Sequence, residues 1–130
     1  MGNALAVREK AVWDESFVAG ADLSTHQYKV VKLHTVAGQV VLAGAGEGFG
    51  VLQNKPESGQ EAQVRVFGLS RVVTKGSNAE SGDDYFSDAD GFAVTTGGAG
   101  VLSLGFATRL DTIEEEVSTV LLIGQLRQHA

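Results

Sequence analysis

Short runs of valine and leucine separated by glycines fill residues 21–73, and this pattern constrains the fold more than any other feature. Apolar runs of strand length that are bounded by glycine turns are typical of antiparallel β-structure. Within Ala62–Phe67, valines alternate with polar residues, which is the period of two expected of a half-buried strand. Seventeen glycines against one proline can supply the turns that many short strands need. The sequence therefore predicts an all-β domain.

The same pattern continues through the rest of the chain and defines the predicted strands. A hairpin is expected at 28–43, and Gly68 is expected to mark a bulge or bend between two further strands. The last element contains glutamates that suit a helix, but its β-branched residues favour a strand ending near Gly124. The remaining strands are predicted at Tyr85–Phe86, Phe92–Thr95 and Val101–Ala107. About eight to ten short strands indicate a small β-barrel or sandwich.

The first twenty residues differ from the remainder. At 130 residues the chain is expected to form one domain, which we place at residues 21–130. Ala4–Val12 could form a short helix, and the segment that follows shows neither turn signals nor strand alternation. Residues 1–20 are interpreted as an extended N-terminal arm that a partner orders. Its apolar side chains Val12, Trp13 and Phe17 are the candidate contacts with that partner. The alternative is a segment that folds back onto the barrel's own core, since tryptophan is usually well buried.

No known motif for catalysis, nucleotide binding or metal binding is complete in this sequence. The glycine run at 44–50 lacks the Lys-Ser or Lys-Thr of a phosphate-binding loop, and no helix is expected after it. Aspartates before Gly91 do not match the spacing of an EF-hand, which leaves a hairpin turn or a weak, irregular cation site. Three histidines share no ligand spacing, and there is no cysteine. We expect no catalytic residues, no cofactor and no metal, and hence no enzyme.

Charge and hydropathy narrow the possible partners. The net charge of −6 and the scattered basic residues argue against nucleic acid as a partner. Charged residues interrupt the first twenty positions, so a cleavable signal peptide is not expected. The longest apolar run near the C-terminus, 120–123, is too short to cross a bilayer, so no membrane association is expected.

Several sequence segments, taken in their order along the chain, resemble the capsid cement, or head decoration, proteins of tailed phages. They cover the chain from about residue 21 to its end and agree in order and spacing rather than in any single diagnostic motif. The segments are ADLS-x-x-QY-x-x-VKL from Ala21, GVLQNKP at Gly50–Pro56, V-x-G-x-S-x-V at Val66–Val72 and SDADGFAV at Ser87–Val94.

This resemblance implies a structural role in the virion. Such a protein is made in the host cytoplasm and binds the outer surface of the phage head as a homotrimer at three-fold or quasi-three-fold positions. There it ties neighbouring major capsid protein subunits together after shell expansion. The N-terminal twenty residues lie outside the resemblance, and the chain does not match the lambda-type decoration protein. A glycan- or surface-binding β module of a virion is the alternative, and a small barrel enzyme or accessory subunit is a second one.

Overall fold

The computed structural model describes residues 10–75, 84–95, 103–110 and 117–123, and these residues form nine strands and no helix. The predicted all-β class is therefore confirmed, and no helix able to span a membrane occurs in these ranges. The strands are β1 (Lys10–Ala19), β2 (Val30–Leu33), β3 (Gln39–Leu42), β4 (Gly50–Leu52), β5 (Glu61–Val73), β6 (Asp84–Ser87), β7 (Ala93–Val94), β8 (Gly105–Leu110) and β9 (Val117–Ile123).

Five strands close into a small barrel in the order β1-β3-β2-β4-β5 and back to β1. The β1–β3 contact is parallel and short, since only Val18 and Ala19 pair with Gln39 and Val40. Every other pairing in the ring is antiparallel. Closure gives each of these five strands a partner on both sides over at least part of its length, which is a usual way in which a small β-protein protects its backbone.

The long strand β5 connects this barrel to the rest of the molecule. β1 and β4 pair with β5 between residues 61 and 69, and β9 pairs antiparallel with its second half, Phe67–Val73. The sheet then continues through β8 and β6 to β7. A single thirteen-residue strand therefore belongs to two parts of the structure.

Two hydrophobic cores lie on opposite sides of β2 and β4. Val31 and Leu52 face the barrel interior, whereas their neighbours Val30 and Val51 belong to a second core. All four side chains are fully buried. The barrel core also contains Ala19, Leu23, Val40, Ala62 and Val64, and the second core Ala43, Val72, Tyr85, Ala93, Leu104, Ala107, Val120 and Leu122. Burial on both faces explains why these two short strands read as continuous apolar runs rather than alternating ones.

Several glycine turns lie where the sequence predicts them. In Glu57–Gln60 the amide of Gln60 donates to the carbonyl of Glu57 at 2.9 Å, and Gly59 has φ +86° at the third position. This is the geometry of a type II turn, in which glycine avoids the steric cost of a positive φ. Gly68 has φ +118° inside β5, next to the irregular pairing with β1, which agrees with the predicted bulge.

The N-terminal segment differs from its sequence interpretation. Residues 10–19, expected in the arm, form β1 and pair with β5 from Lys10 to Val18, so the barrel begins before residue 21. Phe17 and Ala19 point into the barrel core, as the fold-back alternative supposes. The sequence of β1 shows no clear alternation of apolar and polar residues, because Glu15 lies on the same face of the strand as Phe17 and Ala19 and yet is polar and exposed. Residues 1–9 of the expected arm lie outside the described residues.

Candidate interaction surface

The glycine run at 44–50 is a turn held by one serine. Ser87 Oγ accepts hydrogen bonds from the amides of Glu47 and Gly48 at 3.1 and 3.2 Å, and it donates to the carbonyl of Gly44 at 2.8 Å. The amide of Gly46 donates to the Ser87 carbonyl at 2.8 Å. The amides that a phosphate-binding loop would offer to a ligand are thus used within the protein.

The aspartate-rich segment ahead of Gly91 is likewise a turn. Asp88 Oδ1 accepts from the amides of Asp90 and Phe92 at 2.8 and 2.9 Å, a side-chain arrangement common at hairpin turns. No group of three or more potential metal-ligating side chains occurs in the described ranges. Asp83, a further aspartate ahead of Gly91, lies outside these ranges.

The three predicted contact residues fall on β1 but have different environments. Trp13 is 53% exposed, and its indole Nε1 donates to Glu15 Oε1 at 2.8 Å. Phe17 is half-buried and packs edge-on against Phe49, with ring centroids 5.7 Å apart. Val12 has no cross-strand partner on β5, and its side chain is outside the described part of the structure. Trp13 alone of the three is seen to present a large apolar surface to solvent.

The fold brings to Trp13 an aromatic residue that the sequence did not single out. Phe67 lies directly opposite Trp13 in the β1–β5 pairing and is 41% exposed. The two stand where the pairing is irregular, with Val12 as the extra residue on β1 and Val66 on β5. An aromatic just before a glycine predicted to bulge is the signal that could have identified Phe67. Exposed Val18, Leu33 and Val36 lie further along β1 and on the adjoining β2–β3 hairpin.

The outer face of β1 and β5 carries a polar network. Arg65 Nε and Nη2 donate to the two carboxylate oxygens of Asp14 at 2.9 and 3.2 Å, and Nη1 donates to the Leu69 carbonyl at 3.0 Å. Beside this pair, Ser16 Oγ donates to Glu61 Oε2 at 2.7 Å and accepts from Gln63 Nε2 at 2.8 Å. These bonds fix the side chains of β1 on its partner strand.

Over most of its length, one edge of β1 pairs with no strand of the described residues. Lys10–Val18 pair with β5 on one side, but on the other side β3 reaches only Val18 and Ala19. Among the described residues no strand pairs with the second edge of residues 13–17, which we call the β1 edge. Unpaired strand edges are ready sites for the addition of another strand.

These elements define a small all-β protein with a closed five-stranded barrel and an aromatic, acidic surface along β1. No protein-family model and no curated protein sequence matches the chain. A solved structure of the head fiber gp8.5 N base in bacteriophage phi29 is similar, with a TM-score of 0.65 and 18% sequence identity. The similarity covers 90% of this chain and 98% of that chain. The two proteins therefore share a fold over nearly their whole lengths.

Proposed function

We propose that this protein associates with the head of a tailed phage and acts there as a cement, or decoration, protein. The observation that carries the proposal is the likeness, over 90% of the chain, to a protein described as the base of a phage head fiber. The sequence segments that resemble head decoration proteins support the same assignment independently, because they are a property of the sequence and not of the fold.

In this proposal the role is structural and the protein is not an enzyme. It binds the outer surface of the head as a homotrimer, and its partner is the major capsid protein. Each copy contributes a modest interface, and many copies together oppose the pressure of packaged DNA. The net charge of −6 suits a protein that faces outward and makes no contact with that DNA.

Trp13 is the proposed anchor of the capsid contact, with Val12 and Phe17 beside it on β1. Large exposed aromatics contribute a disproportionate share of binding energy at interfaces. The neighbouring exposed ring of Phe67 enlarges the apolar surface that a partner can cover.

Co-sedimentation with empty, expanded capsids of the phage that encodes the protein tests the proposal. We expect binding that saturates at a fixed ratio to the capsid protein, together with a higher melting temperature of the shell. Unexpanded shells serve as the control for specificity. Absence of binding to expanded shells at saturating protein would refute the cement role.

A further inference from the structure

Hydrogen bonds at the end of β1 reveal which backbone groups face its open edge. The amide of Val18 donates to the Gly38 carbonyl at 2.9 Å, and that of Gly20 donates to the Val40 carbonyl at 2.8 Å. The amide of Ala19 points the other way, toward Gln60 beside β5. Even-numbered residues of β1 therefore direct their backbone groups toward the β3 side.

The same alternation along the strand identifies the backbone N–H and C=O groups that face the unpaired edge. Backbone groups of successive strand residues point to opposite edges, so the N–H and C=O of Asp14 and Ser16 face the same side as those of Val18. β3 begins only at Gln39, which lies opposite Val18. Two amides and two carbonyls therefore continue the line of the β1–β3 hydrogen bonds without a described strand to meet them.

The side chains of the same two residues do not block this edge. Asp14 is held by Arg65, and Ser16 is held by Glu61 and Gln63, all on β5. Natural sheet edges are commonly protected by proline or by a lysine in the strand. Neither occurs between residues 13 and 17. Among the described residues, neither of these two side chains therefore stands between the edge and an incoming backbone.

The charges along the edge favour one kind of incoming strand. Arg65 is committed to Asp14, so its charge does not offset the remaining acids. Glu15 is exposed on β1 itself, and it forms no ion pair with a lysine or arginine of the described residues. A second copy docked through its own β1 edge would bring the same acids to the interface, which like-charge repulsion opposes.

Building on the proposed head association, we propose that the β1 edge takes up an extended, lysine- or arginine-bearing segment of the shell protein as an added strand. Its backbone pairs with Asp14 and Ser16, and its basic side chains lie on the face of β1 that carries Glu15. Trp13 covers one end of the added strand. Main-chain hydrogen bonds supply affinity, and the acidic flanks select a basic sequence.

A peptide experiment tests the edge without the capsid. The probe is a synthetic peptide of alternating lysine and valine, about ten residues long, with a glutamate–valine peptide as the comparison. On binding, we expect the amides of Asp14 and Ser16 to gain protection from hydrogen exchange by NMR. The amides of Glu15 and Phe17 already face β5 and change little. The glutamate–valine peptide should bind at least about tenfold more weakly.

Proline substitution provides the sharpest variant. Ser16→Pro removes an edge amide while leaving the odd-numbered amides that bond β5, so the barrel folds but peptide affinity falls at least about tenfold. Ser58→Pro is the matched control, since it places proline at the second position of the Glu57–Gln60 turn, where proline is favoured. Circular dichroism verifies that both variants fold.

Each of the following results would contradict part of the proposed addition of a basic strand at the β1 edge. Equal binding of the two peptides refutes the selection of basic segments, and unchanged affinity in Ser16→Pro refutes the edge. Self-association that Ser16→Pro abolishes assigns the edge to a second copy instead. In co-sedimentation, equal shell binding by Ser16→Pro and Ser58→Pro refutes edge docking while the head association stands. If the wild-type protein does not bind shells, the proposed function fails, and the peptide still reports on the edge.

Discussion

At the scale of single residues, the packing depends on positions where even one extra methyl group does not fit. A Cβ on Gly48 would overlap Val30 Cγ1 and lie 3.3 Å from the Cβ of Ala43. The glycine run that resembles a ligand-binding loop is thus required for close packing of the β2–β3–β4 region against the second core.

We expect Gly48→Ala to destabilise the protein by about 3 kcal/mol, near the upper end of the usual cost of overpacking. Gly38→Ala is the comparison, because a Cβ there meets no atom within 4 Å and the cost comes from its φ of +81° alone. That cost is about 1 kcal/mol. Urea denaturation measures both, and equal destabilisation would contradict the packing argument.

His26 makes stability depend on pH. Its Nδ1 is buried without a hydrogen-bond partner among the described residues, and burial lowers the pKa of His26 below its ordinary 6.5, with a smaller contribution from Lys29. Because the unfolded chain takes up the proton first, the stability contributed at high pH is lost as the pH falls from 6.5 through the lower folded-state pKa.

Replacement of His26 by glutamine should therefore reduce the loss of stability on acidification. The measurement is the urea midpoint of wild type and His26→Gln at about pH 8 and about pH 5.5, on either side of the ordinary histidine pKa. The difference between the two proteins cancels the titration of other groups. An identical pH dependence would rule out His26 as a source of the effect.

At the scale of the elements, β1 is attached to β5 by an ion pair between buried Arg65 and the more exposed Asp14. Arg65 is almost completely covered, so its guanidinium requires the three hydrogen bonds that Asp14 and Leu69 provide. A buried charge that loses its partner is costly, whereas an apolar replacement of the pair often is not.

Asp14→Ala is expected to lower the free energy of unfolding by about 1.5–3 kcal/mol, the value of hydrogen bonds to a charged group. The double variant Asp14→Ala/Arg65→Met should recover much of this loss, because no uncompensated charge remains. A double-mutant cycle from chemical denaturation gives the coupling energy. Strict additivity would show that the two side chains do not depend on each other.

Local sequence patterns predict the positions of the strands well, but they predict the pairing of the strands less well. The alternation in Ala62–Phe67 and the turn residues of Glu57–Gln60 are short-range signals, so β5 and its preceding turn were predictable. The pairing of β1 with β5 joins residues about fifty positions apart, such as Asp14 and Arg65, and no local pattern encodes it. The predicted strand beginning at Tyr28 starts instead at Val30, since Tyr28 has φ +69°.

The residues of the candidate surface are likewise predictable from the sequence only in part. Trp13 could be singled out from its residue type, but its neighbour Phe67 becomes part of the surface only through the irregular β1–β5 register. The open edge of β1 depends on where β3 begins, which is a property of the closed barrel and not of either strand alone.

At the scale of the whole molecule, the proposed capsid contact and the stability of the fold should be separable. Trp13→Ala removes an exposed side chain whose one hydrogen bond is to exposed Glu15. We expect stability to change by no more than about 0.5 kcal/mol. Binding to expanded shells should weaken by at least about tenfold, as for an interface anchor.

The control is Asp90→Ala, in the turn between β6 and β7 and thus in the other half of the molecule. Thermal denaturation establishes the stability of both variants, and co-sedimentation establishes their binding. Equal loss of binding in both would indicate a general effect of substitution, and full binding by Trp13→Ala would remove β1 from the contact.

The continuity of β5 has a mechanical consequence. One covalent strand is hydrogen-bonded to β1 and β4 in the barrel and to β9 in the part of the sheet beyond it. A tensile load that enters at β1 passes along the β5 backbone into the second half, without relying on side-chain contacts to carry it. Separating the barrel from the rest of the molecule would require shearing either the hydrogen bonds of β5 to β1 and β4 or those of β5 to β9. We therefore expect both parts to resist extension together.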